Sequence, residues 1–441
     1  MPGQSISAEQ MWGIYAAGIA QAAGFSAVPP GFILCGTSLI ANLAVSSRSL
    51  PPAAVPNMPE ALFQVYNLAD TALALQGIYS PTQHRFFNDY ASYIDNLVPA
   101  GSQKAPTPTQ AGQLRMLQAG LTDANTQYNT DLNSANAAWG QVSAANPGQY
   151  DSFQSFLNGT TWGGVMDADN KKAAAINTHI QTLLNTIYGA DYLTIQANKV
   201  VVDGVRSSMQ GSTATGPYDM LVQATSGSLV VPAYSPSDLD KFSLWVDSIV
   251  FQHEGKIVTG VPPAIINFTT GTAKNANINT PYFQQTNWAN NHFFFSSPNG
   301  NESAGTQLDI NTGDPGFSLQ VQFDDITQVS LTRGPWFVPA LTGSPYVYPN
   351  PNILSAATSL LIGMYPQIKM SLDPASYASA YSAYNTAGGF GFGSFWVSAS
   401  HNPDAANQSM TATWDNTGNA VTIQSSSVSP IILAMIAAPL P

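Results

Sequence analysis

The sequence predicts an α+β protein: an N-terminal helical bundle with long helices, followed by an antiparallel β-sandwich. Three observations predict it. Over residues 1–208 apolar side chains recur every three or four positions, the period of a helix. From residue 227 to 441 they come in short runs parted by Gly, Pro and Asn, the pattern of strands. The composition, 44% hydrophobic and 10% aromatic, is that of a chain that buries a core. Residues 209–226 read as the linker between the two domains.

The first helix opens on "SAEQ", a capping box in which Ser7 and Gln10 satisfy each other's backbone amides. Trp12, Tyr15 and Ile19 share its apolar face, and Pro29-Pro30 ends the element. "GFILCGTSLIANLAV" follows as a second apolar segment, and "SLPPAAVPNMP" is a connector. Leu62, Tyr66, Ala69 and Leu73 mark a further helix, and Phe86, Phe87, Tyr90, Tyr93, Ile94 and Leu97 the next. Leu114, Leu117, Leu121, Ala124, Tyr128, Leu132, Ala135 and Trp139 form a seam of the coiled-coil kind. Ile176, Ile180, Leu183, Leu184 and Ile187 mark the last long helix, up to Gly189.

In the second half "KFSLWVDSIVF" alternates, with Phe242, Leu244 and Val246 on one face, and reads as a strand. "AIINFT", "FSLQVQF", "TQVSLT", "SLLIGMYPQIKMSL", "FGSFWVSAS", "SMTATW", "NAVTIQSS" and "PIILAMIAA" read likewise. A short helix near 374–386 interrupts them, with Asp373 as its cap and Pro374 in its first turn. Tyr377, Tyr381 and Tyr384 share one face of it. "GGFGFGSF" then places Phe390 and Phe392 between glycines. Tyrosine joins an apolar ring to a wet tip, so this element reads as a contact surface, with packing on the sandwich as the alternative.

Charge narrows the function. Only 9% of residues are charged, against roughly 25% in typical soluble domains, and the net charge is −12. With 13 Lys and Arg and no basic cluster, nucleic-acid binding through phosphates is excluded as a reading. A neutral polar surface repels its own copies weakly, which favours a homo-oligomer. Cys35 is the single cysteine, so no intrachain disulfide forms. No Lys or Arg precedes the first apolar run, which carries Glu9, so no secretory signal is read there. Localisation stays open between the cytoplasm and release without such a signal. Sequons stand at Asn158, Asn267, Asn301 and Asn407, about as many as chance supplies.

Chemistry is harder to find. His84, His179, His253, His292 and His401 show no metal-ligand spacing. "FQHEGK" puts His253 beside Glu254, and "FDDITQ" holds the adjacent carboxylates Asp324 and Asp325. "DINTGD" lacks the later Glu of a calcium loop. No nucleotide cradle or nucleophile elbow occurs. The expectation is a non-enzyme with no catalytic residue, metal or cofactor.

Residues 10–47 carry no charge. They read either as an insertable hairpin, with Trp12, Tyr15, Ile19, Phe32 and Ile33 as membrane-insertion candidates, or as a buried helical hairpin. The blocks "FSLQVQFDDITQVSLTRGPWFVPAL", "SLLIGMYPQIKMSL" and "GFGFGSFWVSASHNPD", with the closing "SSVSPIILAMIAAPLP", resemble a set of uncharacterised bacterial and fungal proteins. That resemblance covers roughly the C-terminal third and implies a module but no activity; within it Trp336 is expected to bury its ring and Arg333 either to stack on it or to cap carbonyls. The helical half is similar in architecture to helical-bundle pore-forming toxins. It differs from them in carrying few charges on its helix faces.

Together these readings predict a non-catalytic, self-assembling, membrane-engaging protein of the pore-forming toxin type. The helical half would insert or oligomerise. The sandwich would meet lipid or a surface receptor through Tyr377, Tyr381, Tyr384, Phe390, Phe392, Arg333 and Trp336. The alternatives are a shell, coat or filament subunit, and a hydrolase built on scattered carboxylates.

Overall fold

The computed structural model describes residues 5–73, 85–97, 106–189, 191–211, 213–214, 216–257, 262–268, 292–296, 306–342, 355–399, 410–425 and 428–439. His84 and His401, and the sequons at Asn301 and Asn407, lie outside them. The fold is α+β with antiparallel sheets, as the sequence predicts. The chain forms two compact units, one of residues 1–92 and 201–441, the other of residues 93–200. One boundary falls at 200/201, and residues 1–92 belong to the same unit as the C-terminal part.

In the first unit, helix α1 (Ala8–Ala22) begins at the expected capping box, with both Ser7 and Gln10 bonds in place. Strand β1 (Phe32–Ile40) follows, then α2 (Met58–Ala69) and α3 (Phe86–Asn96). After the second unit the chain runs through β2 (Asp219–Ala224), β3 (Gly227–Pro232), β4 (Tyr234–Pro236), α8 (Leu239–His253), β5 (Ala264–Phe268), β6 (Phe294–Ser296) and β7 (Thr306–Gln307). It continues with β8 (Ser318–Phe323), β9 (Asp325–Arg333), β10 (Ser355–Met364), β11 (Gln367–Ser371) and α9 (Pro374–Thr386). It closes with β12 (Gly389–Phe392), β13 (Phe395–Ser398), β14 (Met410–Asp415), β15 (Ala420–Ser425) and β16 (Ile431–Pro439).

Two five-stranded sheets, β1-β16-β10-β9-β4 and β14-β15-β11-β8-β5, enclose one core. The chain crosses between them at Asp324, joining β8 to β9, and at Tyr365-Pro366, joining β10 to β11. Alternation sets the inner face: along β8 Leu319, Val321 and Phe323 are buried, and along β11 Ile368 and Met370. A smaller sheet runs β13-β12-β6-β7.

Four expectations give way here. Residues 10–47 are neither a helical nor an insertable hairpin: their second half is β1, paired with β16. Trp12, Tyr15, Ile19, Phe32 and Ile33 are all at most 2% exposed, because α1 and β1 supply the aromatic and aliphatic filling of the sandwich. Among the described residues no helix is long and apolar enough to cross a membrane. "KFSLWVDSIVF" is a helix: Asp238 caps the amides of Asp240 and Lys241, Phe242, Val246, Ile249 and Val250 are buried at helical spacing, and Leu244 is 67% exposed. The stretch 209–226 is no simple linker, since β2 lies inside it and pairs with β3.

The second unit contains α4 (Pro108–Ala145), α5 (Phe153–Gly159), α6 (Thr161–Tyr188) and the start of α7 (Tyr192–Gly211). The predicted seam lies on α4, whose 38 residues span about 57 Å at 1.5 Å each.

Candidate interaction surface

The residues predicted to make contacts are placed mostly inside. Tyr377 is buried and donates its hydroxyl to Asn416 Oδ1 at 2.6 Å. The rings of Tyr377 and Tyr381 stack at 6.2 Å, and Trp414 meets both edge-on at 5.4 and 5.1 Å. Tyr384 closes on Trp414 at 5.5 Å, which leaves only Tyr381, 43% exposed, facing outward. Phe390 and Phe392 are 1% exposed. The glycines between them make room for rings: a Cβ on Gly389 would lie 2.6 Å from Trp396, and one on Gly391 2.1 Å from Phe295. The Tyr ladder and the Gly/Phe run are therefore packing devices, and the contact reading fails for all but Tyr381.

Trp336 is fully buried. Arg333 lies not on Trp336 but over the rings of Phe86 at 4.2 Å and Phe337 at 4.7 Å, and burial draws its pKa down. Beside it Asp70 is buried, accepting from the Tyr234 hydroxyl at 2.6 Å and the Phe87 amide at 2.9 Å. Desolvation raises its pKa from 3.8 to about 6, against the pull of these two donors and of Arg85. An acid whose folded pKa is raised costs stability above that value and costs nothing once both states are protonated. Wild-type protein therefore gains up to about 3 kcal/mol from this group between pH 7 and 4. Asp70→Asn retains an acceptor for both donors. Thermal unfolding is expected to show the variant ahead of wild-type at pH 8, to shrink that lead below pH 6 and to lose most of it by about pH 4.

His253 and Asp324 are brought together from opposite ends of the unit's α8–β9 segment. His253 Nδ1 lies 2.6 Å from Asp324 Oδ2, and the ring rests flat on Tyr365 at 3.7 Å. Tyr365 holds a left-handed backbone, φ 51°, at the sheet crossing. Among the described residues no Ser, Thr or Cys side chain is hydrogen-bonded to His253. Glu254, its sequence neighbour, turns instead to Lys256 at 2.6 Å. Nor do three His, Cys, Asp or Glu side chains gather as a metal site would require, among the described residues.

The second unit presents a different kind of surface. Helices α4 and α6 lie side by side, joined at one end by a cluster of Ala135, Phe156, Leu157 and Met166. Elsewhere few of their side chains are fully buried. Of 38 residues in α4 only Ala124 and Ala135 are buried, and of 28 in α6 only Met166, Ile180 and Ile187. Of the other seam residues, Tyr128, Leu132 and Trp139 pack on that cluster, and Leu114, Leu117 and Leu121 are half-buried. A groove of about 490 Å³ opens there, lined by Gln113, Met116, Leu117, His179, Leu183 and the threonines Thr182 and Thr186. Met116 is 70% exposed.

Threonine ladders run along both helices, and Thr182 and Thr186 of α6 line the groove. On α6, Thr178, Thr182 and Thr186 each donate to the carbonyl four residues back, at 2.8–2.9 Å. On α4, Thr122, Thr126, Thr130 and Ser134 do the same. A hydroxyl bonded within its own helix needs no outside partner, so these faces are small and weakly polar and admit a close neighbour. The sequence carries this signal as Thr repeated at four-residue spacing, which the apolar seam overshadows. Charge is nearly absent, α4 carrying only Arg115, Asp123 and Asp131. Between the helices Asp169 has its pKa raised, by desolvation first and then by Asp131, so protonation favours the paired helices.

No family model matches the chain, and no curated protein or solved structure matches it either.

Proposed function

We propose that this is a non-catalytic, self-assembling protein whose α4–α6 hairpin docks on the same hairpin of a second copy. The observation that carries the reading is the apolar groove on two long helices that bury five side chains between them. Two helices leave their apolar stripe only half-covered, and a four-helix arrangement is the common way to complete its burial. The near-absence of charge on α4 favours a like partner, since it offers no field to select an opposite one and none to repel a copy. Isologous pairing of hairpins closes at two copies, whereas an offset pairing continues into a filament or shell.

Sedimentation velocity over a hundredfold concentration range tests it. Wild-type protein is expected to associate, and Met116→Glu with Leu183→Glu to remain monomeric with unchanged helicity by circular dichroism. Both positions border the groove, and a buried unpaired carboxylate costs several kcal/mol. A wild-type chain that stays monomeric throughout overturns the reading.

A further inference from the structure

A second site lies in the sandwich unit, where α8 runs beside β9. There a cleft of about 300 Å³ is lined by Trp245 and Phe242 on one side, Thr327 and Gln328 on the other, and Ser237, Asp238 and Lys241 at its end. This volume is at the small end of ligand sites, enough for one ring-sized molecule. We infer that the cleft binds a single neutral pyranose ring, the sugar's C–H face on the Trp245 indole and its hydroxyls on the surrounding side chains.

The chemistry of the lining argues for that class. The Trp245 indole is half-buried and held in place: its Nε1–H donates to Asp325 Oδ2 at 2.8 Å, and the Phe242 ring backs it at 5.4 Å. An immobilised flat apolar face loses little entropy on binding and suits the apolar face of a sugar. The opposite wall is neutral and hydrogen-bonding. β9 presents Thr327 and Val329 to this wall, while the Gln328 side chain lies on the other face of the strand with its amide on Ser359 Oγ at 2.9 Å, so Gln328 adds only backbone. Ser237 Oγ accepts from the Ser330 amide at 3.0 Å and keeps its own hydrogen to donate. Thr327 adds a hydroxyl.

The end of the cleft is mixed in charge. Asp238 Oδ1 is committed to the start of α8, while Oδ2 lies 3.9 Å from Lys241 Nζ, too loose to satisfy either group. An acceptor and a donor side by side fit a vicinal diol, which offers one of each. Their opposite charges disfavour a net anion or cation, and the polar walls disfavour a purely apolar ligand. This site is separate from the hairpin and stands whether or not the hairpin self-associates.

The test is saturation-transfer NMR and calorimetry on the full chain, with the methyl pyranosides of glucose, galactose and mannose and with N-acetylglucosamine as probes. Transfer to the ring protons of at least one probe is expected, with binding about tenfold weaker or lost in Trp245→Ala. Thr327→Val, a near-isosteric change at a half-buried strand position, is expected to weaken binding several-fold while folding normally, and it decides the matter if Trp245→Ala does not fold. Absence of transfer from all four probes overturns the inference. So does binding that survives undiminished in Thr327→Val and in any folded Trp245→Ala.

Discussion

Replacing Trp336 with Ala is expected to destabilise the sandwich unit by about 3–5 kcal/mol, the range for deleting a fully buried large ring. Trp336 has no exposed surface and lies among five aromatic rings: Phe86, Phe87, Tyr90, Tyr234 and Phe337, with centroids 5.1–6.3 Å away. Edge-on packing against Phe87 and Tyr234 adds to the area term. Its Nε1–H also donates to the Ala233 carbonyl at 2.8 Å, and alanine leaves that buried oxygen without this donor. The loss spreads further, because Phe86 and Phe337 hold the Arg333 guanidinium and Phe87 supplies an amide to Asp70. Urea unfolding followed by far-ultraviolet circular dichroism measures the change. A loss below about 1 kcal/mol, the range of ordinary surface substitutions, contradicts Trp336 as the centre of this cluster. Trp336→Phe, which retains a ring but no donor, is expected to fall between the two.

The same cluster shows why some of the molecule was legible in the sequence and some was not. The caps of α1 and α9 and the seam of α4 are written in residues three or four apart, so local chemistry determines them. The strands β5, β8, β9 and β14 to β16 announce themselves by composition and by the turns between them. Residues 32–40 did not: Phe32, Ile33, Leu34 and Cys35 are buried in succession, and a run buried on both faces has no period to read. In α8 the alternation of Phe242, Leu244 and Val246 coincides with a helix in which Leu244 points outward. Long-range pairing left no mark at all. The register of β1 on β16 brings Phe32 to Ile436 across some four hundred residues, and that pairing is what ties the N-terminal segment to the sandwich.

The candidate surfaces divide in the same way. The α4 seam was visible, but its exposure depends on how little α6 covers, which only the packing of the two helices reveals. The cleft beside Trp245 draws on α8 and β9, segments eighty residues apart, and one of them had been read as a strand. Tyr377 and Tyr384 have the composition of a contact surface and the position of a core, and Trp414 decides between them. Aromatic residues at helical spacing therefore identify a face without saying what covers it.

The second large effect is expected from a single methyl group, and its sign should reverse between the two units. Gly391→Ala places a Cβ 2.1 Å from Phe295 Cζ, with two further ring atoms at 2.4 and 2.5 Å. The ring cannot swing aside: Phe295 is 2% exposed, pairs opposite Gly391 across β6 and β12, and stacks near Trp396 at 6.1 Å. The cost is expected at about 3 kcal/mol, the upper end of overpacking penalties. It is steric alone, since the backbone of Gly391 does not lie in the left-handed region. Phe295→Leu in the same chain is therefore expected to restore part of the loss, which a backbone effect would not allow. Gly120→Ala in α4 is the counterpart. There the new Cβ meets only Ile176 Cδ1, at 3.8 Å, an ordinary contact, and alanine is favoured over glycine within a helix by about 1 kcal/mol. Unfolding free energies of the two variants are expected to move in opposite directions. A neutral Gly391→Ala would mean that the Gly/Phe run does not pack as described, and that its glycines serve flexibility after all.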